Sequence, residues 1–231
     1  LLKEKHQEVL EDKNSAYDIL ISNIANAYKQ PKSNVCLTPS GMNAVYCALR
    51  GLKNIQAKNG KTKLIQLGWL YLDTMNIVEH YFDENKIFYD INDLDSVENY
   101  LKENGHTISA IITEIPTNPL LQTVDLIKLR SLCDKYNIVL VIDTTFATPF
   151  NLDLKPYADI YVESLTKFAC GNADVLMGAI ILNENSKISL MSAEFFKHAD
   201  MPYIKDIQRL ALQIQNYESR MKIISSNTKK L

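Results

Sequence analysis

The sequence predicts an α/β protein in which helices cover both faces of a mostly parallel β-sheet. Apolar segments of strand length alternate along the chain with longer segments in which apolar residues recur at the helical period. Short loops join these segments, and such alternation builds βαβ units with parallel strands. The 231 residues suit one such domain, since no Gly/Ser-rich linker or internal repeat divides them.

The first thirty residues predict one or two helices. Their apolar positions at helical spacing are Leu10, Tyr17, Ile21, Ile24, Ala25 and Tyr28. Pro31 follows this segment, and a proline neither continues a helix nor leaves the residue before it free to do so. We therefore expect the N-terminal helical segment to end before Pro31.

The remainder of the chain predicts seven strands and five further helices. The strands are Val35–Thr38, Lys63–Leu67, Lys86–Tyr89, Ala110–Ile115, Ile138–Asp143, Ala158–Val162 and Met177–Leu182. The helices run from Gly41 to about Leu49, from Thr74 to about Phe82, over Asp93–Glu103, over Asp125–Tyr136, and as one long helix from Pro202.

Two residues in the stretch from Ile138 to Phe168 indicate a chemical role. Asp143 ends one buried strand, and Lys167 follows the next strand along the chain. In an open α/β sheet, ligands bind at the carboxyl ends of parallel strands, so both side chains are expected in one crevice. Pyridoxal phosphate (PLP) chemistry needs such a pair, with an amine to form a Schiff base and an aspartate to keep the pyridine nitrogen protonated. For such a pair alone, a solvated surface lysine and a helix-capping aspartate would be the better interpretation.

A possible anion site precedes the second predicted helix. Ser40, Gly41 and Met42 stand at its start, where free backbone N–H groups and the helix dipole favour a negative charge. Glycine there lets the backbone close on a phosphate. An ordinary serine N-cap is the structural alternative.

Several motifs in register resemble the Cys/Met-metabolism group of fold-type-I PLP enzymes, which includes cystathionine γ-synthase, the cystathionine lyases and methionine γ-lyase. DTTFATPF and YADIYVESLTKF are similar to the group's DNTFATP and ADIVVHSATK. SGM, EIPTNP and RLALQIQNYESRM are similar to its phosphate loop, to ESPTNP and to RGLKTLxxRM. YLDT departs from the common YGGT and resembles a variant in the fungal cystathionine γ-synthase branch. The resemblance covers the chain from about residue 34 to its end.

The resemblance implies PLP as cofactor and assigns a role to each matching residue. Lys167 would hold PLP and then move protons, and Asp143 would hold the ring nitrogen. The other implied cofactor contacts are Ser40, Gly41, Met42, Ser164 and Thr166 at the phosphate, Tyr71 stacked on the ring, Asn118 at the phenolic oxygen, and Thr145 beside Asp143. Tyr71 is also implied to be catalytic, next to the leaving group.

The resemblance also implies the domain organisation. Residues 1–231 would form the PLP-binding large domain of the aminotransferase-like fold, with an N-terminal helical segment and without the C-terminal small domain. That small domain carries the arginine that binds the substrate carboxylate in the group. An N-terminal Tyr-x-Arg pair, which reaches the phosphate of a neighbouring subunit in the group, is not found in the sequence. We therefore expect a fragment of a homo-oligomeric protein, a dimer or tetramer by resemblance.

The function implied is that of cystathionine γ-synthase, which joins an O-acylhomoserine to cysteine in transsulfuration and methionine biosynthesis. YLDT and PSGM resemble the synthase branch, and they are the ground for choosing it. The alternatives are a cystathionine or methionine lyase working by β- or γ-elimination, and a non-catalytic remnant of a PLP domain. Nicotinamide binding is excluded, because no G-x-G-x-x-G follows the first strand.

Composition excludes other classes of function. The net charge is −2 without a basic tract, so neither nucleic acid nor an anionic membrane is an expected partner. No apolar run approaches the length of a membrane span. The four cysteines lack metal-ligand spacing, so we expect no metal site and reduced thiols in a cytoplasmic protein.

Overall fold

The structure is a computed structural model that describes residues 12–230. The predicted helical position Leu10 lies outside the described residues. Within them, no helix combines the length and apolar character that crossing a membrane requires.

Within residues 12–230, seven strands form one sheet. They are β1 Val35–Thr38, β2 Lys63–Leu67, β3 Asn85–Phe88, β4 Ile108–Glu114, β5 Val139–Asp143, β6 Ile160–Ser164 and β7 Gly178–Leu182. Their spatial order is β1-β7-β6-β5-β4-β2-β3. Strands β3, β2, β4, β5 and β6 pair in parallel, whereas β7 is antiparallel to both β6 and β1. The predicted mostly parallel sheet is confirmed.

The described residues contain nine α-helices. They are α1 Lys13–Ala27, α2 Gly41–Gln56, α3 Leu72–Tyr81, α4 Leu94–Asn104, α5 Leu126–Tyr136, α6 Thr148–Asn151, α7 Ser192–Phe196, α8 Ile204–Gln213 and α9 Tyr217–Thr228. Short 3-10 segments occur at Lys32–Asn34, Ala57–Asn59, Gly105–Thr107, Lys187–Met191 and Ile214–Asn216.

The sheet separates two hydrophobic cores, because successive side chains of a strand point to opposite faces. Leu140 and Ile142 of β5 pack into the core that α1, α4, α5 and α8 cover. Val139 and Val141 pack into the other core, which α2, α3 and α7 cover. Helices therefore cover both faces of the sheet, as predicted.

Several predicted boundaries are wrong. The helix expected to end at about Leu49 continues to Gln56. The strand expected at Ala158–Val162 lies two residues later, because Ala158 belongs to a turn in which its N–H bonds to the carbonyl of Leu154. The single long helix expected from Pro202 begins at Ile204 and is interrupted by the 3-10 segment Ile214–Asn216. Both halves are apolar at the helical period, but the interruption lets α8 pack against α1 while Tyr217 turns towards the sheet.

The carboxylate of Glu163 joins helices α1 and α9 to the sheet. Glu163 lies on β6 and is 1% exposed. The hydroxyls of Tyr28 and Tyr217 donate hydrogen bonds of 2.6 and 2.7 Å to its two oxygens. Tyr28 follows α1 and Tyr217 begins α9, so one side chain joins both helices to β6. Burial raises the pKa of Glu163 to about 7, although the two tyrosine hydroxyls oppose the shift.

We predict that Glu163→Gln makes the free energy of unfolding less dependent on pH. The pKa of Glu163 is raised from an ordinary 4.5 to about 7 on folding. Between these values the unfolded carboxyl has lost its proton and the folded one keeps it, so stability falls as pH rises. Without the titrating carboxyl of Glu163, the free energy of unfolding should decrease by roughly 1–3 kcal/mol less over this pH range.

Denaturant unfolding at a series of pH values measures this dependence. Glu103→Gln, at an exposed position, is the matched control and should follow the wild-type protein. An unchanged pH dependence in Glu163→Gln would contradict the prediction.

Candidate functional site

A cleft of about 270 Å³ lies at the carboxyl ends of β4, β5 and β6. The parallel register places Glu114 beside Asp143, and Asp143 beside Val162, so that Ser164 lies just beyond. All ten residues predicted for the site line this cleft. They are Ser40, Gly41, Met42, Tyr71, Asn118, Asp143, Thr145, Ser164, Thr166 and Lys167. Their individual roles stay predictions.

Asp143 presents a partly satisfied carboxylate to the cleft. Its Oδ1 accepts the N–H of Thr145 at 2.9 Å. The side chain of Thr145 also hydrogen-bonds this carboxylate, and within residues 12–230 no residue other than Thr145 does so. Burial raises the pKa of Asp143, and the bond from Thr145 opposes this shift. A cationic N–H donor in the cleft would therefore be stabilised by Asp143.

Thr145 and Ser164 join the ends of β5 and β6. The N–H of Ser164 donates to Oγ1 of Thr145 at 2.8 Å. The hydroxyl of Ser164 has no partner in the described part of the chain, so its proton can be donated to a ligand.

The hydroxyl of Thr166 is already hydrogen-bonded within the protein. Its hydroxyl donates to the carbonyl of Met177 at 3.2 Å and accepts the N–H of Met177 at 3.0 Å. A hydroxyl has a single proton, so Thr166 could donate to a ligand only after losing the first bond. The geometry favours Ser164 over Thr166 as a donor to an anion.

The start of α2 faces the same cleft. Ser40 is its N-cap, with Oγ accepting the N–H of Asn43 at 3.1 Å. The first-turn N–H groups of Gly41 and Met42 have no partner inside the helix, and the dipole there favours an anion. A Cβ on Gly41 would lie 2.7 Å from the Cβ of Ser164, so glycine permits this close approach.

Three predicted residues lie at the mouth of the cleft. The side chain of Tyr71 is 52% exposed, and those of Asn118 and Lys167 are exposed as well. Among residues 12–230 the amine of Lys167 has no hydrogen bond or ion pair. Its backbone N–H bonds to the carbonyl of Ser164 at 3.2 Å, which places Lys167 in the turn after β6. The amine is therefore free to react with a ligand.

A second, outer cavity adjoins the cleft on the side of Lys167. It shares Asn118, Thr145, Phe146 and Lys167 with the cleft and is completed by Phe168, Gly171, Arg220, Ile223 and Ile224. Lys167 thus stands between the cleft and this more open region.

Glu114 has a role that the sequence analysis missed. Its two oxygens accept backbone N–H groups from different loops, that of Tyr71 at 2.5 Å and that of Asn118 at 3.2 Å. Burial, followed by the charge of Asp143, raises the pKa of Glu114 to about 7. One buried carboxylate thus positions both loops. The available signal was a glutamate at the end of a fully buried strand.

The arrangement separates two kinds of charge. Asp143 and Glu114 favour a cation, whereas the start of α2 and the Ser164 hydroxyl favour an anion. The unpaired amine of Lys167 lines the same cleft. Such a cleft suits a ligand with an anionic group, a protonated ring nitrogen and a carbonyl that an amine can attack. Within residues 12–230, no group of three or more His, Cys, Asp or Glu side chains could hold a metal ion.

Comparison with known proteins agrees with this geometry. The family model described as Cys/Met metabolism PLP-dependent enzyme matches residues 12–227. A crystal structure from Campylobacter jejuni, which contains N'-pyridoxyl-lysine-5'-monophosphate, has the same fold, with a TM-score of 0.76 at 22% identity. The match covers 93% of this chain and 60% of that one.

Two curated relatives are more similar in sequence. The L-2-amino-4-chloropent-4-enoate dechlorinase/desaturase of Streptantibioticus cattleyicolor is 36% identical over 89% of this chain and 42% of its own length. The cystathionine gamma-synthase of Neurospora crassa is 33% identical over 85% of this chain and 32% of its own length. The chain therefore spans less than half the length of either relative.

We predict that Glu114→Gln loosens the loops of Tyr71 and Asn118. Glutamine has one acceptor oxygen in place of two, so one backbone N–H must lose its partner, at a cost of about 1–3 kcal/mol. Hydrogen exchange at the two amides, in alkaline buffer where the native carboxylate is ionised, measures the effect. Glu103→Gln serves as control. If both amides in Glu114→Gln were as protected from exchange as in the wild-type protein, the prediction would be contradicted.

Proposed function

The chain belongs to the Cys/Met metabolism PLP-dependent enzymes, and we propose that residues 1–231 are the PLP-binding large domain of a cystathionine γ-synthase. In this proposal the whole protein breaks the bond between Cγ and the acyloxy oxygen of an O-acylhomoserine, releases the acyloxy group as a carboxylate, and joins Cγ to the sulfur of cysteine. The C-terminal small domain and its carboxylate-binding arginine would belong to sequence outside this chain.

The observation that carries the proposal is the separation of charge in the cleft around a free lysine. Asp143 has an oxygen available for the N–H of a pyridinium, and the start of α2 with Ser164 can bind a phosphate. Tyr71 offers an aromatic face for stacking, and Asn118 a side chain for the phenolic oxygen. When bound, PLP supplies an electron sink for the carbanion of an amino acid.

The exposed amine of Lys167 at the cleft supports its proposed role as the amine that attaches PLP. Its amine is free to attach PLP and, once released by substrate, to move protons. β-Elimination needs proton removal at Cα alone, whereas γ-chemistry also needs it at Cβ. The proposal therefore requires the Lys167 amine to reach both carbons and Tyr71, which lines the same cleft, to assist at the leaving group.

The names of the two relatives support chemistry at the γ carbon. One is a cystathionine gamma-synthase, and the other acts on an amino acid whose chlorine is on C4, which is the γ carbon. The second name describes loss of chloride with desaturation, and it favours elimination as the alternative function. PLP binding without turnover would indicate the other alternative, a non-catalytic remnant.

Three further features belong to the same proposal. We place the enzyme in transsulfuration and methionine biosynthesis, with O-acylhomoserine, cysteine or cystathionine as its amino-acid ligand. We expect a homo-oligomer, a dimer or tetramer, in the cytoplasm. The four cysteines are all free thiols, which agrees with a reducing compartment.

Ser164→Ala and Thr166→Val should separate cofactor binding from stability. Loss of the Ser164 hydroxyl should weaken PLP binding roughly tenfold to a hundredfold, the value of one hydrogen bond to a charged group, with little change in stability. Loss of the Thr166 hydroxyl leaves the N–H of Met177 without its acceptor, although the Met177 carbonyl still accepts the N–H of Thr166, and should lower the free energy of unfolding by about 1–3 kcal/mol.

Absorbance titration of the whole apoprotein with PLP and thermal unfolding give the two quantities. Stronger PLP binding in Ser164→Ala than in Thr166→Val, at equal stability, would contradict the assignment of the phosphate donor.

Parallel assays of the complete gene product test the reaction type. We expect faster formation of cystathionine from cysteine and an O-acylhomoserine than cleavage of cystathionine or methionine. Faster cleavage would establish the elimination alternative, and no turnover with bound PLP would establish the remnant.

A further inference from the structure

Arg220, on α9, holds the turn that follows Lys167. Its Nη1 donates to the carbonyl of Phe168 and its Nη2 to the carbonyl of Ala169, each at 2.7 Å. These are the first and second residues after Lys167. A planar guanidinium can hold two adjacent acceptors in fixed geometry, and bonds from a charged donor are the stronger ones.

Gly171 makes room for this contact. It has a positive φ of 74°, and a Cβ added there would lie 2.4 Å from Nη1 and 2.6 Å from Cζ of Arg220. The N–H of Gly171 bonds back to the carbonyl of Lys167 at 3.2 Å, so the turn closes on the lysine itself. Both the backbone conformation and the space at residue 171 therefore depend on glycine.

The same helix also holds the chain before Lys167. Tyr217, at the start of α9, donates to the carboxylate of Glu163, which directly precedes Ser164. The guanidinium of Arg220 lies 5.7 Å from the centre of the Tyr217 ring. Helix α9 thus contacts the lysine segment on both sides of Lys167.

We propose that Arg220 is a positioning residue that fixes the backbone of Lys167, so that its amine meets the PLP aldehyde in a defined orientation. The inference rests on the proposed function for the role of Lys167, whereas the contact itself does not. Among the described residues Arg220 has no carboxylate partner, and its hydrogen bonds go to the two carbonyls. Replacing it should therefore act first on the turn.

Arg220→Met in the whole protein is the direct test, with Lys222→Met on the same helix as the matched control. Lys222 is exposed and pairs only with Glu218 in the described residues. In Arg220→Met we expect amide exchange at Cys170 and Gly171 to become about tenfold faster. We expect the half-time of PLP attachment to become about tenfold longer, as a loss of about 1.4 kcal/mol of positioning implies. Lys222→Met should match the wild type. Exchange and attachment at the wild-type rates in Arg220→Met would overturn the proposal.

Arg220→Lys and Gly171→Ala test the same contact if Arg220→Met fails to fold. Lysine can bond one carbonyl but cannot bridge both, so Arg220→Lys should exchange at an intermediate rate, and wild-type exchange would overturn the inference. A Cβ at residue 171 would clash with the Arg220 guanidinium, and less with the smaller ammonium of lysine. Gly171→Ala should therefore slow PLP attachment more when residue 220 is arginine than when it is lysine. Equal slowing in both backgrounds would also count against the contact.

The experiments distinguish failure of the proposed PLP function from failure of the positioning role of Arg220. If the wild-type protein attaches no PLP, the proposed function fails, while the exchange rates still decide whether Arg220 holds the turn. If PLP attaches normally to both the wild type and Arg220→Met, the function stands and the positioning role is lost.

Discussion

The parallel register of β4, β5 and β6 is the constraint on which the candidate site depends. It aligns Glu114 with Asp143 and brings Ser164 to the same edge of the sheet. A shift of one residue in β5 would turn Asp143 to the opposite face, because side chains alternate along a strand. The loops that carry Tyr71, Asn118 and Lys167 start from or are held to these same strand ends.

Three carboxylates on these neighbouring strands have raised pKa values, each mainly because of burial. Asp143 lines the cleft and can accept a hydrogen bond from a ligand, whereas Glu114 and Glu163 accept hydrogen bonds from the protein. Glu114 binds two backbone N–H groups, and Glu163 binds two tyrosine hydroxyls. Because the charge of Asp143 also raises the pKa of the other two, a cation beside Asp143 would stabilise all three ionised forms.

The sequence predicted the fold class and ten residues that line the cleft, but it did not predict the role of Glu114. Strand ends are visible as apolar runs that stop at a polar residue, and parallel strands bring their ends together whatever the loops between them do. This is why Asp143 and Lys167 could be placed in one crevice from the strand ends, whereas the role of Ser164 came from the family resemblance. The interruption between α8 and α9 was not visible, because the apolar period continues through it.

Long-range hydrogen bonds were also beyond sequence reasoning. Tyr28 lies 135 residues from Glu163, and nothing local marks the two as partners. The carbonyls that Arg220 binds, 52 and 51 residues away, are equally unmarked. The commitment of the Thr166 hydroxyl to Met177 changes its expected chemistry although the residue lies where it was predicted.

Covalent trapping is the most direct test of the central claim that Lys167 is the amine that attaches PLP. The whole protein is loaded with PLP, reduced with borohydride, digested and mapped by mass spectrometry. We expect the pyridoxyl group on the peptide that contains Lys167, and none after Lys167→Ala. A pyridoxyl group on a different lysine of the wild-type protein would contradict the claim.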